Sequence, residues 1–151
     1  MQKKYNLVLY FIIFLFVLLT FNNCVDYASD STININNNSS YNFKITFIYN
    51  IQLTNYDPEY WKPFDINIEK NSTISFKLFG GLGSIVAPDP NWEFARIIFL
   101  DIDDETIIND IEICDFATIV NNLFQLINTK NHKHYQEAYY LLEITDALLK
   151  Q

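Results

Sequence analysis

A repeated alternation of apolar and polar side chains is the feature that most constrains how this chain can fold. Residues 43–49 carry aromatic or aliphatic side chains at every second position, and residues 64–68 and 74–78 show the same pattern. Successive side chains of a strand point to opposite faces, so each stretch predicts a strand with one buried face. Because turn-forming residues 70–72 separate the last two stretches, we expect a β-hairpin there.

Three further strands and one helix are predicted in the second half of the chain. Residues 95–100 form a continuous apolar run, as in a central strand covered on both faces, and residues 106–113 follow after an acidic turn. Apolar residues between 116 and 127 recur at helical spacing and predict a short amphipathic helix. A polar loop over 130–135 and a last strand over 140–145 are expected to close the sheet.

These elements predict three segments. Residues 1–23 are interpreted as a signal peptide, residues 24–40 as a disordered polar tether rich in Asn and Ser, and residues 41–151 as one domain. The predicted fold class is mainly β, namely a small β-sandwich, Ig-like in general architecture, with one short C-terminal amphipathic helix.

The N-terminal segment has the composition of an export signal. A lysine pair precedes an uncharged apolar run over residues 7–21. As a helix, a run of about 15 residues reaches about 22 Å, short of the ~30 Å hydrocarbon core, so cleavage is predicted. An uncleaved anchor is the alternative if the run is counted from Tyr5. Ordinary cut positions after Ala28 or Ser29 lack a small side chain two residues earlier, where Asp26 and Tyr27 stand.

The stretch from residue 18 to Cys24 reads Leu-Leu-Thr-Phe-Asn-Asn-Cys. It resembles the lipobox of bacterial lipoproteins, although that family prefers Leu, then Ala or Ser, then Gly or Ala before the cysteine. The resemblance covers the N-terminus alone. It implies that Cys24 becomes the lipidated first residue and attaches the protein to a membrane of the cell envelope. Cys114 is then a single packed thiol, whereas without lipidation the two cysteines could form a disulfide.

The acidic balance of the chain restricts its partners. Removing residues 1–23 takes away two lysines and no acids, so the net charge falls from −8 to −10. Such a surface repels nucleic-acid phosphates and anionic lipid headgroups. We therefore expect no nucleic-acid partner. The expected contacts are the membrane, through an N-terminal lipid, and a protein or glycan ligand.

An acidic turn is a weak candidate for a metal site. Its carboxylates are Asp101, Asp103, Asp104 and Glu105, and hard cations such as calcium bind oxygen ligands gathered in this way. No glycine provides the sharp bend of an EF-hand loop, so a solvated turn without metal is the prediction. No cofactor is predicted.

Other chemical motifs are weak. His132 and His134 would face the same way on a strand, but no third zinc ligand is identifiable, so exposed loop histidines are predicted. The glycine-rich segment 80–84 lacks the lysine of a phosphate-binding loop. Since no nucleophile, base or carboxylate pair can be placed in one site, we predict that the protein is not an enzyme.

Two aromatic, proline-bearing loops are the strongest candidates for a binding site. One carries Tyr56, Tyr60 and Trp61, and the other carries Trp92. Rings in rigid loops can stack on sugars or anchor a partner protein, with neighbouring carboxylates taking hydroxyls or amines. The alternative is that both tryptophans fold inward and cover the ends of the core.

Two functions remain from the sequence. The first is an exported, membrane-tethered envelope lipoprotein with a non-enzymatic binding or structural role. The second is a secreted carbohydrate-binding β-sandwich module that uses Trp61 and Trp92. Asn38 and Asn71 lie in glycosylation sequons, so glycosylation there would favour the second function, and lipidation of Cys24 would favour the first.

Overall fold

The computed structural model describes residues 29–50, 62–80, 85–115 and 118–150. Within these ranges the chain is mainly β, with a one-turn helix, α1 (Pro90–Glu93), and a 3-10 turn over Leu148–Lys150. The strands are β1 (Asp30–Asn37), β2 (Phe43–Tyr49), β3 (Phe64–Ile68), β4 (Ser72–Phe79), β5 (Phe94–Asp101), β6 (Ile107–Glu112), β7 (Cys114–Asp115), β8 (Thr118–Ile119), β9 (Gln125–Asn131) and β10 (Gln136–Ile144).

The strands form two four-stranded sheets and one short ladder. The first sheet has the order β4-β1-β10-β9, the second has the order β3-β2-β5-β6, and β7 pairs with β8. Strand β1 runs parallel to β10, with Asp30 opposite Glu137 and Asn37 opposite Ile144. The remaining pairs are antiparallel. The two four-stranded sheets therefore supply the framework of the described residues.

Both large sheets bury one face in a single hydrophobic core. Residues at every second position of β1 are buried, and the first five residues of β2 follow the same rule, as the pleat of a strand requires. The ring centroids of Phe47 in β2 and Phe76 in β4 lie 5.4 Å apart, so this contact joins the two sheets. One core between two sheets is consistent with the predicted β-sandwich.

Several predicted strands are confirmed. The stretches 43–49 and 64–68 form β2 and β3, and the apolar run 95–100 lies within β5. Strand β5 has β2 on one side and β6 on the other, which confirms its central position, but the prediction that both of its faces are covered is wrong, since Arg96 is exposed and Ile98 is only half-buried. The predicted strand over 106–113 contains β6, and an acidic turn precedes it.

The predicted disordered tether is wrong where the structure describes it, because β1 occupies most of its second half. Ile33 and Ile35 are fully buried, whereas the alternate residues Thr32, Asn34 and Asn36 lie on the outer face. The strand has neighbours on both sides. Two isoleucines among asparagines are too few to dominate the composition, yet they are enough to bury one face of a strand. The folded domain thus begins before residue 41.

The predicted hairpin between β3 and β4 is also wrong. Both strands exist, but β3 belongs to the second sheet and β4 to the first. Asn71 adopts φ 55°, the left-handed conformation that Asn tolerates in turns, where the chain passes from one sheet to the other. The alternation of apolar and polar residues predicts a strand and its buried face, but it does not predict which of the two sheets the strand joins.

The predicted C-terminal helix is not found among the described residues. Strand β8 and strand β9 occupy parts of the segment instead, and residues 116–117 lie outside the described residues. Phe124 is buried, but Leu126 and Ile127 are more than half exposed on the outer strand β9. The apolar residues therefore do not share one helical face. The predicted last strand is confirmed as β10, although it lies inside the sheet between β1 and β9 rather than at its edge.

Candidate functional site

The proline-bearing loop around Trp92 is a capped helical turn. Asp89 is the N-cap of α1, and its Oδ1 accepts a hydrogen bond from the backbone N–H of Asn91 at 2.9 Å. Pro90 follows at the first helical position, where a missing N–H costs nothing. The backbone N–H groups of Trp92 and Glu93 both donate to the carbonyl of Asp89, at 2.9 and 3.0 Å. These bonds fix the backbone that carries Trp92.

The side chain of Asn91 fastens this turn to the chain before β9. Its Nδ2 donates to the carbonyl of Phe124 at 2.9 Å, and its Oδ1 accepts from the backbone N–H of Phe124 at 3.0 Å. Asn91 is 2% exposed and Phe124 is 1% exposed. Both partners therefore satisfy polar groups that water does not reach.

A second buried amide, Asn50, connects the other end of the turn to β7. Its backbone N–H donates to the carbonyl of Glu93 at 2.8 Å, and its Nδ2 lies 3.3 Å from Sγ of Cys114. Cys114 is a free, buried thiol, as the packed-residue interpretation predicts. Cys24 lies outside the described residues.

Trp92 projects from this anchored turn with 37% of its surface exposed. Phe94, two residues later at the start of β5, is fully buried, and its ring lies 5.0 Å from that of Phe47 and 5.9 Å from that of Phe124. The backbone of Trp92 is thus held by the core while part of its indole remains accessible. The other candidate residues, Tyr56, Tyr60 and Trp61, lie outside the described residues.

The surroundings of the turn are acidic and poorly hydrated. Burial, with a contribution from Asp89, raises the pKa of the Glu93 carboxyl. Burial also raises the pKa of Tyr49, with a contribution from Glu93. The same two effects, burial and then the charge of Asp89, raise the pKa of Tyr140 to about 12. A ligand that brings an amine or hydroxyl donor to Glu93 would relieve the cost of its buried charge.

Three carboxylates of the acidic turn between β5 and β6 contact other groups of the protein, namely those of Asp101, Asp104 and Glu105. Oδ1 of Asp101 accepts from the backbone N–H of Asp103 at 2.8 Å, and Glu105 lies 2.6 Å from Nζ of Lys44. Hydrogen bonds from Thr106 lower the pKa of Asp104. Across the described ranges, no group of three or more potential ligands is arranged to hold a metal ion.

The two histidines lie in or beside the turn between β9 and β10. The ring of His132 stacks on Tyr135 at a centroid distance of 4.2 Å, and its Nε2 lies 3.7 Å from Oε1 of Glu137. This environment gives His132 an aromatic and an acidic neighbour. In the glycine-rich segment, the Gly80 N–H donates to the carbonyl of Ser29 at 2.8 Å, and residues 81–84 lie outside the described residues.

A shallow cavity of about 250 Å³ lies along the outer strand β6. Its polar lining includes Asn109 and Asn121. Their amide groups donate to the carbonyls of Leu148 and Glu112, at 2.8 and 2.7 Å. These amides hold neighbouring backbone in place, so we assign them a structural role.

Sequence reasoning singled out Trp92 but missed the two asparagines that hold its turn. Asp89 followed by Pro90 is a recognisable helix-start signal. Nothing local predicts that Asn91 meets Phe124. Across the described ranges, no helix is long and apolar enough to cross a membrane. Comparison with protein-family models, curated proteins and solved structures gave no match.

Proposed function

We propose that the protein is an exported lipoprotein, attached to a membrane of the cell envelope through Cys24, with a non-enzymatic binding or structural role. The lysine pair, the apolar run and the lipobox-like stretch ending at Cys24 support export and lipidation. The folded domain then stands close to the membrane on a short connection.

The complete burial of Ser29 is the observation that carries this proposal. Its carbonyl accepts from the Gly80 N–H at 2.8 Å, and its Oγ accepts from the backbone N–H of Gln136 at 3.1 Å. A cut after Ala28 would put a charged amino group on this buried residue, which is costly. A cut after Ser29 would remove these contacts. A cut before Cys24 preserves them all, so the fold favours the lipoprotein site over the two ordinary ones.

The Trp92 turn is the surface that we assign to a partner. Its partly exposed indole sits on a backbone held by Asn91 and Asn50, so little conformational freedom is lost when a ligand binds it. An aromatic side chain of this kind suits a protein anchor or the apolar face of a sugar. The acidic environment at Glu93 favours a ligand that carries donors.

Intact mass of the mature protein, purified with detergent from its native host, tests the lipoprotein proposal. We expect a chain that begins at Cys24 and carries added acyl mass. The two cysteines provide a matched pair of variants. Cys24→Ser should abolish the acyl mass and the detergent partitioning, whereas Cys114→Ala should keep both. A mature chain that begins elsewhere, or acylation that persists in Cys24→Ser, would refute the proposal.

A secreted carbohydrate-binding module is the second candidate function. The exposed position of Trp92 favours it, and so do the exposed sequon residues Asn38 and Asn71. Binding to a panel of polysaccharides tests it. Trp92→Ala should weaken binding by about tenfold or more, as expected for loss of an aromatic anchor. Tyr41→Ala removes a ring that is 47% exposed near the opposite end of the strands and should leave binding unchanged.

The proposal includes an Ig-like arrangement of the two large sheets. The ring contact between Phe47 and Phe76, together with the shared core, supports face-to-face packing. Nuclear Overhauser contacts between these two rings should be strong. Their absence in a folded sample would contradict the packing.

A further inference from the structure

Three large apolar side chains are exposed near Ser29, which directly precedes β1. Phe79 at the end of β4 is 70% exposed, and Ile85 and Val86 are 65% and 67% exposed. We call these three residues the apolar patch. Soluble surfaces carry single exposed apolar residues without consequence, but neighbouring large ones commonly mark a contact surface.

Hydrogen bonds bring the two parts of the apolar patch to the same end of the first sheet. The residue after Phe79, Gly80, is bonded to Ser29, and Ser29 is bonded to Gln136. The side chain of Gln136 in turn accepts from the backbone N–H of Ala87 at 3.1 Å, directly after Val86. Ser29 therefore stands between Phe79 and the segment that carries Ile85 and Val86.

The position of Ser29 limits how far this end can lie from the lipid. Cys24 precedes Ser29 by five positions. Five residues reach at most about 17 Å when fully extended. Strand β1 has 8 residues and spans roughly 23 Å. When its Ser29 end faces the membrane, the turns at its other end are therefore farther from the lipid than the connection from Cys24 can extend.

Charges of both signs surround the apolar patch, and they include Asp89 and Glu93, which follow the Pro88 carbonyl bonded to Oγ of Ser31. Lys77 forms an ion pair with Asp30 at 2.8 Å. Lys130 of β9 lies opposite Glu137 of β10. Lys133 lies in the turn between β9 and β10. The far end instead carries the acidic turn over 101–105, which an anionic lipid surface repels.

We propose that the apolar patch rests in the interfacial region of the bilayer that holds the lipid anchor, so that the Ser29 end faces the membrane and the acidic turn faces away. The Trp92 turn follows Pro88, whose carbonyl accepts a hydrogen bond from Oγ of Ser31, so a partner of Trp92 would be met beside the membrane surface. This inference depends on the proposed lipoprotein function. Apolar side chains enter the interface to a depth of about 5–10 Å, which the short connection from Cys24 allows. The lysines near the patch approach the headgroups, and their carboxylate partners prevent a strong net charge.

Fluorescent probes on the full-length, acylated protein test this orientation. A Cys114→Ala background leaves a newly introduced cysteine as the reactive thiol, since acylation consumes Cys24. Phe79→Cys and Ile85→Cys place a nitrobenzoxadiazole probe in the patch, and Tyr41→Cys is the matched control near the other end of β1. Each chain is reconstituted into phosphatidylcholine vesicles with or without a lipid that carries a shallow doxyl quencher.

We expect a blue-shifted emission and strong doxyl quenching at positions 79 and 85, and neither at position 41. If an acylated, vesicle-bound chain gives the same emission at all three positions, the orientation is wrong while the lipoprotein function stands. A chain with no acyl mass at Cys24 overturns both. Should the cysteine at 79 lower the urea midpoint, the probe at 85 alone decides the orientation.

Discussion

The side-chain amide of Asn91 forms two hydrogen bonds with the backbone of Phe124, which lies 33 residues later in the chain. This pair joins the turn that carries Trp92 to the segment that leads into β9. The position of a partly exposed indole therefore depends on a buried contact between two distant stretches of the chain.

Replacing Asn91 should lower stability markedly. Asn91→Ala leaves the N–H and the carbonyl of Phe124 buried without these partners, and we expect a loss of about 2 kcal/mol or more in the free energy of unfolding. Urea denaturation followed by circular dichroism measures it. Asn128→Ala is the control because Asn128 is exposed, and its midpoint should hardly move. Equal midpoints for the two variants would show that the Asn91 contact contributes little.

The cost of truncating a phenylalanine should depend on its place in the fold. Phe99 is fully buried and packs edge-on against Phe43 at 5.6 Å, so Phe99→Ala should cost about 3–5 kcal/mol. Phe79 is 70% exposed, and Phe79→Ala should change stability by about 0.5 kcal/mol or less. Chemical denaturation of both variants tests whether Phe99 lies on the buried face of β5 and Phe79 on the exposed face of β4. A large loss at Phe79 would contradict its exposure.

The turn between β3 and β4 should respond to the backbone preference of residue 71. Asn71 holds φ 55°, a conformation that costs most side chains about 1–2 kcal/mol. We expect Asn71→Ala to destabilise the protein by about 1 kcal/mol and Asn71→Gly to be neutral or slightly stabilising. Thermal or urea unfolding of the two variants gives the comparison. If alanine is tolerated as well as glycine, the left-handed turn is wrong.

Tyr140 should make stability fall at alkaline pH. An unfolded tyrosine loses its proton near pH 10, whereas burial and Asp89 raise the pKa of Tyr140 in the folded protein to about 12. Between these values the unfolded state binds fewer protons, so the free energy of unfolding decreases as the pH rises. Unfolding measured across this range should show a smaller decrease for Tyr140→Phe than for the parent chain. Identical pH profiles would contradict the raised pKa.

Local patterns predicted most strands but not their partners. Alternating side chains identify the buried faces of β2 and β3, because the period of a strand is a property of neighbouring residues. The crossing at Asn71 sends β4 to the other sheet, and that choice depends on the packing of Phe76 against Phe47. The assumption that strands adjacent in sequence pair with each other is therefore wrong for β3 and β4.

Two other errors share one physical cause, which is that tertiary contacts outweigh local composition. In β1, Ile33 and Ile35 supply a complete buried face within an asparagine-rich stretch. Conversely, apolar residues near Phe124 occur at helical spacing, yet Leu126 and Ile127 remain exposed on β9. For the candidate site, residue type alone indicated Trp92, whereas the amide contact from Asn91 needs three-dimensional information.

The parallel pairing of β1 with β10 also governs when the protein can fold. Ser29 and Gln136 are hydrogen-bonded across a sequence separation of 107 residues, so β1 can pair with β4 early but with β10 only after that stretch has been synthesised. Contacts between residues so far apart in the sequence form slowly, because a large loop must close first. A chain that is still being synthesised therefore cannot complete its first sheet before β10 has left the ribosome.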